Sequence, residues 1–203
     1  MNDAPSSRAP AAGPAAATPE GAGLVWIFGY GSLMWRPDFP FRRSAPARLE
    51  GWHRALCIRS EHWRGTPERP GCVLGLAPGG SCVGRAFAIA PEEEALILEA
   101  VDRRENVRGY LYERRRVPIT LLDTGALVPA WTYLARTEDP RFERDLPRAE
   151  LLARLRTAEG LGGSNLDYLR ETVAHLRELG IREPELEALL AEALAEPADR
   201  PRA

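Results

Sequence analysis

Residues 24–35 read LVWIFGYGSLMW. The first five are a short apolar run with β-branched Val25 and Ile27, closed by Gly29, which reads as a buried strand. Gly29, Tyr30, Gly31, Ser32, Leu33 and Met34 then form a turn directly off that strand. Glycines let backbone approach a ligand closely, and successive N–H groups in such a turn form an anion-binding concavity. A strand-ending turn with no ligand accounts for the same residues. Three motifs that share this setting do not fit. The dinucleotide fingerprint needs a small residue where Met34 stands. A P-loop needs a lysine, and all 27 Lys-plus-Arg positions are arginine. A nucleophile elbow needs Gly-x-Ser-x-Gly, whereas Gly31 and Ser32 are adjacent.

Outward from this strand, further short strands are predicted at residues 48–58, 72–77, 83–89, 112–120 and 126–134. Pro78-Gly79-Gly80 predicts a hairpin between 72–77 and 83–89, and Asp123-Thr124-Gly125 predicts another. About six short strands of this kind suggest a curled or barrel-like sheet. Pro91 with Glu92, Glu93 and Glu94 starts a helix expected to end near residues 104–106. A second helix is expected at 148–155. Ser164 caps a third, with Leu166, Leu169, Val173 and Leu176 at helical spacing and Gly180 beyond its end. A fourth covers 184–194. Strands and helices without regular βαβ alternation make the fold class α+β.

The chain has 203 residues, 44% of them hydrophobic, which is one domain with a sizeable core. That domain is expected at residues 24–195, between a disordered Ala/Pro-rich tail at 1–23 and a second disordered tail at 196–203. The formal net charge is −2, so no basic footprint for nucleic acid is present. No apolar run is long enough to span a membrane. The first residues lack the apolar segment of a secretory signal. Three cysteines without a CxxC pair disfavour a disulfide framework, and a cytoplasmic location fits best. Cys57 and Cys72 read as core residues and Cys82 as a hairpin thiol. His53, His62 and His175 lack metal-ligand spacing, so no metal is expected; His53 and His62 read as structural.

Two further segments could carry chemistry. Residues 102–110 read DRRENVRGY, with Glu105 at the C-terminal end of the Pro91 helix. The negative end of a helix and any burial raise a carboxyl pKa, which suits a general base. A solvated charge run at a helix end is the commoner reading of such residues. Residues 160–168, GLGGSNLDY, could line a pocket with Asn165, or simply cap a helix.

Residues 25–35, 65–71 (GTPERPG), 79–87 (GGSCVGRAF), 102–110 and 163–181 (GSNLDYLRETVAHLRELGI) together resemble the ChaC family of glutathione-specific gamma-glutamylcyclotransferases. The resemblance implies a small mixed or antiparallel β-barrel flanked by helices. It implies cleavage of glutathione to 5-oxoproline and cysteinylglycine without a cofactor. The family's catalytic glutamate falls on Glu105 and its ligand loop on Gly29, Tyr30, Gly31, Ser32, Leu33 and Met34. Tyr110, Asn165 and Tyr168 are further pocket candidates. Asn106, Val107 and Arg108 separate Glu105 from Gly109-Tyr110, where the family often has a shorter stretch. A cyclotransferase acting on other γ-glutamyl amines or peptides is the first alternative. A non-catalytic ligand-binding module on the same barrel is the second, and the intact Glu105 argues against it.

Overall fold

Two long strands and three shorter ones, read from the computed structural model, build the framework: β1 (Val25–Gly29), β2 (Arg43–Ser60), β3 (Gly71–Ile89), β4 (Tyr112–Leu121) and β5 (Leu127–Ala135). The structure describes residues 23–106 and 111–195. The expected tails (apart from Gly23) and Tyr110 lie outside them. The strands close into a barrel in the order β1-β3-β2-β4-β5. β1 runs antiparallel to β3 and parallel to β5, with Trp26 opposite Ala130, so the barrel is mixed. Alternation along β1 sends Trp26 and Phe28 into the barrel, against Leu49, Leu76, Ile119 and Leu134. Ile27 points the other way, into a cluster with Ile97, Leu98 and Val101.

The structure corrects the reading of residues 72–89. The two strands expected there are one, β3, and Gly79-Gly80 is no hairpin. β2 and β3 stay paired from Arg43 opposite Ala88 to Ser60 opposite Gly71, with register shifts near Glu50/Trp52 and Leu56/Ile58. Gly51, Gly79 and Gly80 have φ of 81°, 98° and 69°, and they cluster at the first of these shifts. A bulge uses left-handed glycine as a turn does, but bends the ribbon without reversing it. The reversal comes instead at residues 61–70, where Thr66 N–H donates to the Arg69 carbonyl at 3.0 Å. Cys82 is therefore not a hairpin thiol but a core residue, 0% exposed.

The four helices lie where the sequence places them. A single 3-10 turn, Pro91–Glu93, leads into α1 (Glu94–Glu105). It covers one side of the barrel. On the other side, α2 (Arg148–Thr157), α3 (Asn165–Glu178) and α4 (Pro184–Leu194) bury Leu155, Leu169, Leu176 and Leu186 against Met34, Leu56 and Leu74. Ser164 Oγ accepts from Asp167 N–H at 3.0 Å and starts α3. Gly180, at φ 71°, turns the chain after it. A two-stranded hairpin, β6 (Glu159–Gly160) and β7 (Gly163–Ser164), joins α2 to α3. Among the described residues, no helix is long and apolar enough to cross a membrane.

Candidate active site

The turn after β1 is held from several sides. Its shape comes from a 3-10 turn at Ser32–Met34, in which Met34 N–H donates to the Gly31 carbonyl at 2.9 Å. Arg54 of β2, buried at its back, donates Nε–H to the Tyr30 carbonyl at 2.6 Å and a second N–H to the Val83 carbonyl at 2.7 Å. Its remaining end pairs with Glu183, just before α4. Tyr30 Oη donates to the Tyr133 carbonyl at 2.9 Å. From the front, Arg104 donates to Ser32 Oγ at 2.7 Å and to Asp38 Oδ2 at 2.8 Å. The turn therefore needs no ligand to fix its backbone.

Glu105 is the last residue of α1. One turn earlier, Asp102 accepts from Tyr133 Oη at 2.7 Å and from Arg114 at 2.7 Å, which ties the end of α1 to β4 and β5. The Glu105 side chain is 20% exposed. Burial raises its carboxyl above the ordinary range, and Arg104, with Nε 3.6 Å from Oε1, pulls it partly back. Burial also pushes the Tyr30 and Tyr112 phenols well up and that of Tyr168 to about 12, with the Glu105 charge adding to each. Near neutral pH all three are neutral hydrogen-bonding groups.

The wall behind these tyrosines is built in an unusual way. β1 covers β3 only over Arg85–Ile89, so among the described residues no strand lies beside this edge of β3 near Cys72 and Leu74. Side chains take the place of that strand. Asn165 Oδ1 accepts from Cys72 N–H at 2.7 Å, and its Nδ2 donates to the Cys72 carbonyl at 2.7 Å. Leu74 N–H donates to Tyr168 Oη at 3.1 Å, and Tyr112 Oη donates to the Leu74 carbonyl at 3.3 Å. The Asn165 amide thus acts as a peptide unit, and helix α3 as a surrogate neighbour.

A cavity of about 820 Å³ opens between the turn, the end of α1, the β2–β3 connection and α3. Such a volume suits a small peptide or drug-sized ligand. Of the residues singled out from sequence, Tyr30, Gly31, Ser32, Leu33, Glu105 and Tyr168 line it. Gly29, Met34 and Asn165 do not; Gly29 closes β1, Met34 is in the helix-side core and Asn165 is in the wall. His62, read as structural, lines the cavity, whereas His53 contacts the Gly79 carbonyl at 2.9 Å. Sequence reasoning missed Tyr112, the stacked pair Trp35 and His175 (ring centroids 4.7 Å apart), and five lining arginines. The arginine of the Arg64-Gly65-Thr66-Pro67 segment had a signal, since it abuts a family-like block. Arg36 likewise abuts the 25–35 block and Arg104 lies inside 102–110, whereas Arg59 and Arg141 are scattered single residues with none. Among the described residues, no group of three His, Cys, Asp or Glu could hold a metal ion.

The family model described as "ChaC-like protein" matches residues 25–196. The chain belongs to the ChaC-like family. Among its relatives, this ChaC-like chain is 38% identical over 170 residues to the glutathione-specific gamma-glutamylcyclotransferase of Escherichia coli, covering 83% of this chain and 72% of that one. The Schizosaccharomyces pombe protein of the same name is 32% identical over 181 residues, covering 80% and 86%. The human glutathione-specific gamma-glutamylcyclotransferase 1 is 30% identical over 174 residues, covering 83% and 77%. A crystal structure of the yeast gamma-glutamylcyclotransferase specific to glutathione superposes with a TM-score of 0.73 at 21% identity, over 84% of this chain and 97% of that one. The α+β barrel flanked by helices is the fold of those enzymes.

Proposed function

We propose that this ChaC-like chain is a glutathione-specific gamma-glutamylcyclotransferase, with Glu105 as its general acid and base. The observation that carries the reading is the meeting of a carboxyl of raised pKa with the Tyr30–Leu33 turn in one cavity. The names of the relatives supply the substrate.

The reaction closes a ring within the substrate. The α-amine of the γ-glutamyl group attacks its own γ-carbonyl carbon, a C–N bond forms, and the C–N bond to cysteine breaks. The nucleophile belongs to the substrate, and no atom changes oxidation state, so the step balances without a cofactor. Two protons must be managed. The α-nitrogen sheds both in passing from ammonium to ring N–H, and the Glu105 carboxylate takes them in turn and delivers them to the departing nitrogen, giving 5-oxoproline and cysteinylglycine. A carboxyl poised above the ordinary range is better matched to both transfers than a solvated one. The second demand is shape, because the flexible γ-glutamyl chain must fold back on itself. Backbone N–H groups of residues 30–33 grip the α-carboxylate and hold a near-attack conformer. They are preorganised because Arg54, Tyr133 and Arg104 already fix the turn.

A reducing cytoplasm, where glutathione is a free thiol, fits the three free cysteines, all buried. The test is 5-oxoproline release, measured by mass, from glutathione and from γ-glutamyl-alanine. Wild type should turn over glutathione in strong preference. Glu105→Gln should still bind glutathione and lose at least about 100-fold in kcat. Preference for γ-glutamyl-alanine would assign the chain to other γ-glutamyl amines, and binding without turnover would leave a ligand-binding module.

A further inference from the structure

The cationic lining of the cavity is mostly neutralised by the protein itself. Arg59 Nε lies 2.9 Å from Glu61, Arg104 2.8 Å from Asp38, and Arg141 2.8 Å from Asp139. Arg36 is exposed. Arg64 differs from all four. It is half-buried, and no carboxylate of the described residues lies within ion-pair distance of it. One N–H donates to the Ser164 carbonyl at 3.3 Å, and the guanidinium carbon sits 5.2 Å over the Tyr168 ring. The glycine tip of the β6–β7 hairpin lies against it, since a Cβ at Gly162 would stand 3.4 Å from its Nε. Its own N–H donates to Ser60 Oγ at 3.1 Å, which fixes the backbone that carries it. The result is a positioned guanidinium with one donor used and, among the described residues, no hydrogen-bond partner for the rest of its fork.

The Tyr168 phenol relates this cation to the reacting end of the cavity, because it feels both the Arg64 and the Glu105 charges. Glutathione carries two carboxylates at opposite ends. If the turn after β1 holds the α-carboxylate and Glu105 stands at the scissile amide, the cysteinylglycine half must run away from both. A planar guanidinium matches a carboxylate in a two-point hydrogen-bonded pair, and stacking on an aromatic ring keeps its plane fixed. We propose that Arg64 binds the glycyl carboxylate of glutathione and so sets the preference for the tripeptide over γ-glutamyl compounds lacking that group. This rests on the glutathione reading above.

The experiment compares glutathione with its glycyl monoethyl ester, which removes only that charge. Rates of 5-oxoproline release are measured for wild type, Arg64→Gln and Arg64→Lys. Wild type should favour glutathione by about 10- to 100-fold in kcat/KM, carried mainly by KM, the range of a charge-assisted pair. Arg64→Gln should bring the ratio near one, and Arg64→Lys should leave it between. A folding defect lowers both rates alike and leaves the ratio untouched. An unchanged ratio in Arg64→Gln, or a wild type that accepts the ester equally well, overturns the assignment. Wild type that ignores glutathione but turns over another γ-glutamyl compound overturns the glutathione reading, and the Arg64 assignment with it.

Discussion

Glu183→Ala tests whether the turn after β1 depends on a buried ion pair. Arg54 has a fully buried side chain, while Glu183 is 22% exposed. Removing one partner of a buried pair costs about 3–5 kcal/mol, because it leaves a charge without compensation. Here the Tyr30 and Val83 carbonyls still accept from Arg54, and water reaches the Glu183 side. The loss should fall at the low end, about 3 kcal/mol, or roughly 6–12 °C in melting temperature for a domain of this size. Arg54→Met should cost about 2–6 kcal/mol, since two buried carbonyls lose their donor at about 1–3 kcal/mol each. In the double variant Glu183 has no partner left to lose, so its stability should lie close to that of Arg54→Met. Urea denaturation at neutral pH measures all three, and kcat/KM on glutathione should fall with the Tyr30 carbonyl unpinned. A loss under about 1 kcal/mol for Glu183→Ala, or full additivity in the double variant, would refute the reasoning.

Two further outcomes follow from the site. The folded-state pKa of Glu105 is raised mainly by burial, so its contribution to stability is present below the ordinary carboxyl pKa and is lost as pH rises through the raised value. Glu105→Gln should therefore melt higher than wild type at pH 7 and lose that advantage in acid, while the acid limb of wild-type kcat/KM should lie above the ordinary glutamate range. Asn165→Ala removes both bonds to Cys72 from a fully buried position and should cost about 2–4 kcal/mol by urea denaturation, whereas a loss under about 1 kcal/mol would mean that water replaces the amide.

Local signals were legible and long-range ones were not. β1, the Pro91 start, the Ser164 cap and the Gly180 stop each rest on a few neighbouring residues, and the structure bears them out. The Gly79-Gly80 hairpin failed because a left-handed glycine serves a bulge as readily as a turn, and only the partner strand decides which. The turn at 29–34 and Glu105 stood out through the family resemblance, and the cavity brings four turn residues together with that acid. Arg54 could not be seen in advance. It is one arginine among many, and its partners lie at residues 30, 83 and 183. Tyr112 was hidden in the same way, as an ordinary aromatic residue opening a strand.

The side-chain seal along β3 also bears on how the molecule ages. A bare strand margin invites a foreign chain to zip onto it, and Asn165, Tyr168 and Tyr112 deny that invitation only while α3 is seated. Heat that loosens α3 uncovers the margin and the Cys72 thiol in one event, since both lie beneath it. The first clumps formed on storage should therefore be cross-linked through that sulfur.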